Sequence, residues 1–181
     1  SLDQEAAIEK AKKHLMDACM EGSFKEGLIG ESFKHVTASN KAGAAHMNAL
    51  SREEWDLLFR GATARRLPRN GRAVVSNRKL DGLLVVVKGV LRAQVDVPGR
   101  PQALVVGRLS VGELLGTNAF ILGSFPWAAV FVESDGAELV RLPARELFAT
   151  FAEHPIIAGK FYCLLATSQA DKLRIFNSQT S

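Results

Sequence analysis

The chain has 181 residues, of which 47% are hydrophobic and 23% are charged, so it is long enough to bury a core as one domain with an extension or a helical arm. Its 23 lysines and arginines against 19 acidic residues give a net charge of +4, and they are scattered apart from Lys12-Lys13 and Arg65-Arg66. This pattern favours a solvated surface over nucleic-acid binding. No apolar run reaches membrane-spanning length and no signal-peptide pattern is present, so membrane insertion is not expected.

Two features bear on the compartment of the protein and on its partners. Cys19 and Cys163 lie far apart and form no CxxC pair, which fits reduced thiols in the cytoplasm, although two cysteines also allow one disulfide. The chain begins at Ser1 rather than at Met, so we expect a piece of a longer protein. The expected partners are therefore other domains of that parent protein, or a separate protein.

The first predicted element is a helix over residues 2–20. Its apolar residues recur at three- and four-residue steps, Asp3 is placed to cap its start, and Gly22-Ser23 ends it. The apolar face is narrow and rich in alanine, which favours packing on a neighbouring domain over lying on a membrane surface.

The next stretch, residues 23–45, is rich in Gly, Ser, Lys and Ala without periodicity, which predicts a linker or an extended arm. A short helix that docks on another surface is an alternative interpretation of this stretch, because it contains four larger apolar residues: Phe24, Leu28, Ile29 and Phe33. Ala45-His46-Met47 resembles a cloning junction, in which case the preceding segment is a fused partner. Residues 1–47 are thus predicted to form a helix with a linker or arm, ahead of a domain in residues 48–176.

A second helix is predicted to begin near Leu50. Ser51 is a natural N-cap and Glu54 follows at the capping-box spacing. Trp55, Leu58 and Phe59 then share one apolar face, and Gly61 ends the helix.

Short segments with strand patterns follow this helix, at residues 64–67, 72–76, 83–88, 90–97, 103–109, 128–133 and 137–142. Pro98-Gly99-Arg100-Pro101 predicts a turn, and Ser134-Asp135-Gly136 predicts a tight turn that pairs the last two strands. Short strands at this spacing are typical of a closed or double-sheeted antiparallel β fold such as a jelly roll.

The C-terminal part changes to helical periodicity. A helix is predicted over residues 143–151, His154-Pro155 interrupts it, and a longer amphipathic helix is predicted over residues 156–176. Residues 177–181 form a polar tail. The predicted fold class is therefore α+β, an antiparallel β-roll flanked by N-terminal helices and two C-terminal helices.

Four sequence features occur in the order found in one known family. They are Leu67-Pro68-Arg69-Asn70-Gly71 with Val74-Val75, the apolar strand and glycine of residues 83–91, Gly112-Glu113, and the two helices around His154-Pro155 up to Leu173. Over residues 50–176 the chain resembles the cyclic-nucleotide-binding domains, and the resemblance implies their β-roll and their B and C helices.

The resemblance also implies a ligand site. In that family, Gly-Glu is followed by Pro-Arg and small residues; the Glu holds the ribose hydroxyl, and the Arg, with backbone N–H groups of a short helix, binds the cyclic phosphate. The matching candidate site residues here are Gly112, Glu113, Leu114, Trp127, Ala128 and Ala129. Glu113 is either a ribose ligand or an acid at a helix N-terminus. Trp127 stands where the family has Arg, as a core or interface residue or as a stacking platform.

The spacing within this site departs from the family pattern. From Glu113 to Pro126 there are 126 − 113 = 13 steps, more than family members usually show. The stretch between them carries Phe120, Ile121, Leu122 and Phe125, which predicts that the pocket is filled from within. Arg108 and Arg141 are candidates to replace the missing Arg, although a solvated strand face is the simpler interpretation of each.

Catalysis has little support in the sequence. It contains no nucleophile–base–acid set, no paired catalytic acids and no Walker-type loop, and its four histidines lack metal-ligand spacing. No catalytic residue, metal ligand or resident cofactor is therefore predicted.

Two hypotheses of function follow. The favoured one is a non-catalytic regulatory or interaction module that keeps the roll as a scaffold and binds a partner through its N-terminal helix and inserted loop. The alternative is a sensor that binds a cyclic nucleotide or a neutral nucleoside, signals through the C-terminal helix, and caps the base with Phe161, Tyr162 or Arg174. A DNA-binding regulator is disfavoured, because no helix-turn-helix follows that helix in this chain.

Overall fold

The computed structural model describes residues 2–20 and 49–180, with side chains described up to Gln169 apart from residues 2, 19, 20 and 167. The helices are α1 Leu2–Met20, α2 Arg52–Leu58, α3 Thr117–Leu122, α4 Ala144–Glu153 and α5 Pro155–Thr180. The strands are β1 Thr63–Pro68, β2 Arg72–Val74, β3 Gly82–Lys88, β4 Leu91–Val95, β5 Leu104–Leu109, β6 Leu114–Leu115, β7 Ala129–Val132 and β8 Gly136–Pro143. The predicted linker, the junction at residues 45–47 and the predicted boundary at residue 47 lie outside the described residues.

The described chain divides into two compact units. One contains the start of α1 and residues 59–148, which include every strand described. The other contains the end of α1, helix α2 and the residues from Ala149 onward.

Helix α1 has the predicted bounds and a buried apolar face. Ala7, Ala11 and Leu15 are at most 2% exposed. The Gln4 side chain adds two hydrogen bonds to β1, donating to the Ala64 carbonyl (2.8 Å) and accepting from the Ala64 N–H (2.7 Å). The apolar face of α1 is therefore buried, and its packing on a separate neighbouring domain stays a prediction.

Helix α2 begins with the predicted capping box. The Ser51 N–H donates to Glu54 Oε1 (2.9 Å), and the Glu54 N–H donates to Ser51 Oγ (3.2 Å). The ammonium group of Lys160 on α5 lies 3.0 Å from Glu54 Oε1. Burial alone raises the pKa of Glu54, but the hydrogen bonds from Ser51 and Lys160 outweigh it and leave that pKa below its ordinary value.

This pair predicts a pH-dependent stability. Because the folded pKa of Glu54 is lowered, its contribution is present above the unfolded pKa, about 4.3, and is lost as the pH falls through the folded value. We expect Lys160→Met to lower the free energy of unfolding by about 1 kcal/mol at pH 7 and by much less at pH 3. Urea denaturation at both pH values tests this against Lys10→Met, on the exposed face of α1. An equal loss at both pH values would contradict it.

The strands form two antiparallel four-stranded sheets within the described residues. The first has the order β1-β8-β3-β6 and the second the order β2-β7-β4-β5. Their facing apolar side chains form one core, with members no more than 9% exposed: Val74, Leu84, Val86, Leu91, Leu115, Val130, Val132, Ala137 and Leu139. Strand β3 is buried along nearly its whole length, as its continuous apolar pattern predicts. The predicted α+β roll is confirmed.

The predicted pairing of the last two strands is wrong. Strand β7 pairs with β2 and β4, whereas β8 pairs with β1 and β3, so the turn between them crosses from one sheet to the other. Val90 holds this crossing, because its carbonyl accepts the Glu133 N–H (2.9 Å) and its N–H donates to Ser134 Oγ (2.9 Å). Burial of Val132 and Leu139 in the core outweighs the local hairpin signal of Ser134-Asp135-Gly136.

The two C-terminal helices are separated at His154, as predicted. The His154 N–H closes α4 on the Thr150 carbonyl (2.8 Å), and Pro155 opens α5, where its missing N–H costs no hydrogen bond. Helix α5 continues to Thr180 and so includes most of the predicted tail. No helix in the described part of the chain has the length and apolar character needed to cross a membrane.

Candidate functional site

The candidate site is the segment of residues 112–129, here called the cassette. It begins in a turn where the Glu113 N–H donates to the Ser110 carbonyl (3.1 Å). The Glu113 carboxylate accepts hydrogen bonds from the N–H and the hydroxyl of the same Ser110. Glu113 therefore closes its own turn, and its assignment as a ribose ligand stays a prediction.

Glu113 and the residues on either side of it are paired with β3. The Gly112 N–H donates to the Val86 carbonyl (2.8 Å), and the Val86 N–H donates to the Glu113 carbonyl (3.0 Å). Leu114 pairs with Val85 in the ladder and is 4% exposed, which makes it a core side chain.

The short helix of the cassette begins four residues after Glu113. Gly116 has φ +85° and precedes Thr117, the first residue of α3. Thr117 is 3% exposed, and its Oγ1 has no hydrogen-bond partner among the described residues. A second Gly-x pair, Gly116-Thr117, thus lies at the N-terminus of the short helix. Sequence reasoning missed Thr117, which lies 126 − 117 = 9 steps before Pro126, compared with 13 steps for Glu113.

The buried hydroxyl of Thr117 predicts an unusual response to substitution. Thr117→Val removes an unpaired polar group from a buried site at nearly constant shape, so we expect the melting temperature to stay equal or to rise. Thr150→Val is the matched control, because the fully buried Thr150 hydroxyl donates to the Leu57 carbonyl (3.3 Å) and its loss should cost about 1 kcal/mol. Thermal unfolding compares the two; a clear destabilisation by Thr117→Val would show that its hydroxyl is paired.

The end of the cassette presents Trp127 to solvent. The Pro126 carbonyl accepts the Asn77 N–H (2.8 Å), which ties this point to the β2–β3 loop. Trp127 is 66% exposed and is therefore not a core residue. Of its predicted roles, those of an interface residue and of a stacking platform for a base remain. Ala128 and Ala129 are half-buried, and Ala129 lies opposite Gln94 where β7 begins.

The apolar residues between these points do not fill the pocket as predicted. Leu122 is 74% exposed and Phe125 is 60% exposed. Phe120 stacks on Phe148, with ring centroids 5.3 Å apart. The short helix ends at Gly123 and its last turn points apolar side chains to solvent, which the one-dimensional pattern does not show.

No cation belongs to the cassette, since Glu113 is the one charged residue in the sequence of residues 112–129. Arg108 is engaged elsewhere: its Nε lies 2.8 Å from Glu133 Oε2, which raises the pKa of Arg108 and lowers the pKa of Glu133. Arg141 is exposed on β8, opposite Thr63.

The predicted lid residues of α5 have structural contacts. Phe161 is fully buried and its ring centroid lies 5.8 Å from that of Phe151. Tyr162 lies 5.4 Å from the same ring. The side chain of Arg174 is outside the described residues.

The chain is similar to known proteins whose names refer to cyclic nucleotides or to a catabolite activator. No family model matches the chain. Cyclic GMP-binding protein C of Dictyostelium discoideum is 20% identical over 140 residues, which are 74% of this chain and 5% of that protein. A solved cyclic nucleotide-binding domain from Methylobacillus flagellatus has a TM-score of 0.64 at 19% identity, covering 72% of each chain. The Thermus thermophilus catabolite activator protein has a TM-score of 0.56 at 24% identity, covering 72% of this chain and 59% of that one.

These similarities concern architecture, because both solved structures are less than 25% identical to the chain. The structure shared at these TM-scores contains two facing antiparallel sheets together with N-terminal and C-terminal helices in this chain. The chain has the fold of the cyclic nucleotide-binding domains.

Proposed function

We propose that the chain is a non-catalytic regulatory or interaction module, which uses the cyclic-nucleotide-binding fold as a scaffold and does not hold a cyclic phosphate in the usual way. The observation that carries the proposal is the exposed neutral side chain of Trp127, which the sequence resemblance aligns with the phosphate-binding Arg. An indole offers one neutral N–H donor, whereas a guanidinium offers a charged fork that matches two phosphate oxygens.

The start of the short helix supports the same proposal. If Gly116-Thr117 is the counterpart of the family's Gly-Glu, both charged ligand-binding residues of the family are absent. Thr117 then stands in place of the Glu, and Trp127 in place of the Arg. Glu113 is then a turn residue whose carboxylate is satisfied by Ser110. The loss of two charge-assisted contacts removes about a hundred-fold or more in affinity for a cyclic nucleotide.

We place the partner surface on the exposed apolar end of the cassette. Four side chains within seven residues are between 40% and 74% exposed: Ile121, Leu122, Phe125 and Trp127. Such residues are buried in most proteins, and aromatic side chains are enriched at the centres of interfaces. The expected partner is another domain of the parent protein or a second protein in the cytoplasm, with an apolar contact surface.

A second candidate function is a sensor for a neutral nucleoside. The unpaired hydroxyl of Thr117 favours it, because a ligand hydroxyl would satisfy that buried group. In this version the exposed Trp127 stacks on the base.

Calorimetry and thermal shift with cyclic AMP, cyclic GMP, adenosine and inosine test both functions, since a ligand that binds the native state raises its melting temperature. We expect no saturable micromolar binding of either cyclic nucleotide. Micromolar binding of one would overturn the scaffold proposal. Nucleoside binding that is lost in Thr117→Val and kept in Glu113→Ala would establish the second candidate.

A further inference from the structure

A cavity of about 360 Å³ opens beside the β2–β3 loop, whose Leu80 lies next to Gly116 of the cassette. Its lining comes from β1, β3 and β8 of the first sheet, from β2 of the second sheet, and from residues 75–81 of the loop. No residue of the cassette lines it. Its volume falls at the lower end of the range of small-molecule sites, roughly 300 to 1,000 Å³.

The inner part of this cavity is apolar. Val74, Leu84 and Leu139 line it, and these side chains are between 2% and 9% exposed. They belong to the core between the sheets. An apolar group of a ligand could therefore lose its contact with water here without displacing a polar partner.

The outer part of the cavity is strongly cationic. Arg65, Arg78, Lys79 and Arg141 line it, against one carboxylate, Asp81, so the local charge is 4 − 1 = +3. This excess is notable in a chain whose total net charge is +4. The residues are separated by up to 141 − 65 = 76 positions in the sequence and come together only in the fold.

The charge of these side chains is not neutralised within the described residues. Arg78, Lys79 and Arg141 have no ion pair there, in contrast to Arg69 and Arg108, which pair with acidic residues. Arg65 donates to the Arg72 carbonyl (3.0 Å), which orients its guanidinium without removing its charge. Like charges around one cavity repel each other unless an anion lies between them.

We propose that this cavity binds a small organic phosphate, whose apolar part lies on the core side chains and whose phosphate lies among the cations. A phosphate monoester carries nearly two charges at pH 7, and its oxygens accept the paired N–H donors of Arg. A carboxylate carries one charge and matches a net charge of three less well. The cavity adjoins the cassette but contains none of its residues, so this proposal does not need a phosphate anchor at Trp127.

The experiment uses phenyl phosphate as the probe, measured by calorimetry on the whole chain at low ionic strength. Inorganic phosphate presents the anion without the ring, and benzoate presents the ring with a single charge. We expect phenyl phosphate to bind at least fivefold more tightly than either, as each lacks one part of the match. Binding should weaken with added salt. No binding of phenyl phosphate at millimolar concentration, or equally tight binding of benzoate, would overturn the proposal.

One variant in the cavity and two controls outside it locate the site. Arg141→Gln removes one cation from the rim and is expected to weaken phenyl phosphate binding about tenfold. Arg100→Gln, in the exposed β4–β5 turn, makes the same change outside the cavity and should leave the affinity within about twofold. Thr117→Val should also leave it unchanged, since Thr117 belongs to the cassette. Equal effects of Arg141→Gln and Arg100→Gln would mean general charge attraction and would contradict the assignment.

Discussion

Replacing Gly82 by Ala is expected to lower the free energy of unfolding by about 3 kcal/mol. Gly82 begins β3 and lies opposite Pro143 on β8. A Cβ at this position would overlap the Leu142 carbonyl oxygen and would lie only 2.9 Å from the Leu142 carbonyl carbon and 3.0 Å from the Ala144 nitrogen. All three are backbone atoms, of β8 and of the first residue of α4, so the clash cannot be relieved by a side-chain rotation.

Gly107→Ala is the matched control for this prediction. Gly107 is also a strand glycine without a positive φ, but a Cβ there would meet nothing within 4 Å. Since Ala is favoured over Gly in a strand, this variant should be neutral or stabilising by a few tenths of a kcal/mol. Urea denaturation of both variants gives the comparison, and similar midpoints would show that β3 and β8 are not as closely paired at this point.

Much of the fold was predictable because its signals are local. The Ser51 and Glu54 spacing predicts the capping box that the structure contains, and His154-Pro155 predicts the break between α4 and α5. The apolar run of β3 predicts a strand buried on both faces. These features depend on neighbours within a few residues, so one sequence is enough to find them.

The sequence-based predictions failed where contacts between residues far apart in the sequence determine the structure. Ser134-Asp135-Gly136 looks like a hairpin turn, yet core burial of Val132 and Leu139 on facing sheets sends β7 and β8 to different partners. The sequence also contains two Gly-x pairs, at Gly112 and Gly116, and only the structure shows that the second one begins the short helix; the assignment of Gly112-Glu113 to a ligand site stays a prediction. The cationic cavity was not predictable at all, because its residues are scattered along the sequence.

The structure also explains why the fold and the ligand can change independently. The core that holds the two sheets together contains neither Thr117 nor Trp127. Trp127 is exposed, so its identity contributes little to the burial that stabilises the roll. Residues at these two positions can therefore change without loss of the scaffold.

Trp127→Arg is accordingly expected to raise the affinity for cyclic AMP by about ten- to a hundred-fold over the unsubstituted chain, at nearly unchanged stability. The new guanidinium can make the bidentate phosphate contact that the indole lacks, and such a contact contributes about 1.5 to 3 kcal/mol. Trp127→Leu is the control, because it removes the indole without adding charge. Calorimetric titration with cyclic AMP measures the affinity of the unsubstituted chain and of both variants.

The scaffold proposal fails if the unsubstituted chain already binds cyclic AMP in the micromolar range. If Trp127→Arg binds no more tightly than Trp127→Leu, the position of Trp127 is not the phosphate-binding position, and the assignment of the cassette must be abandoned.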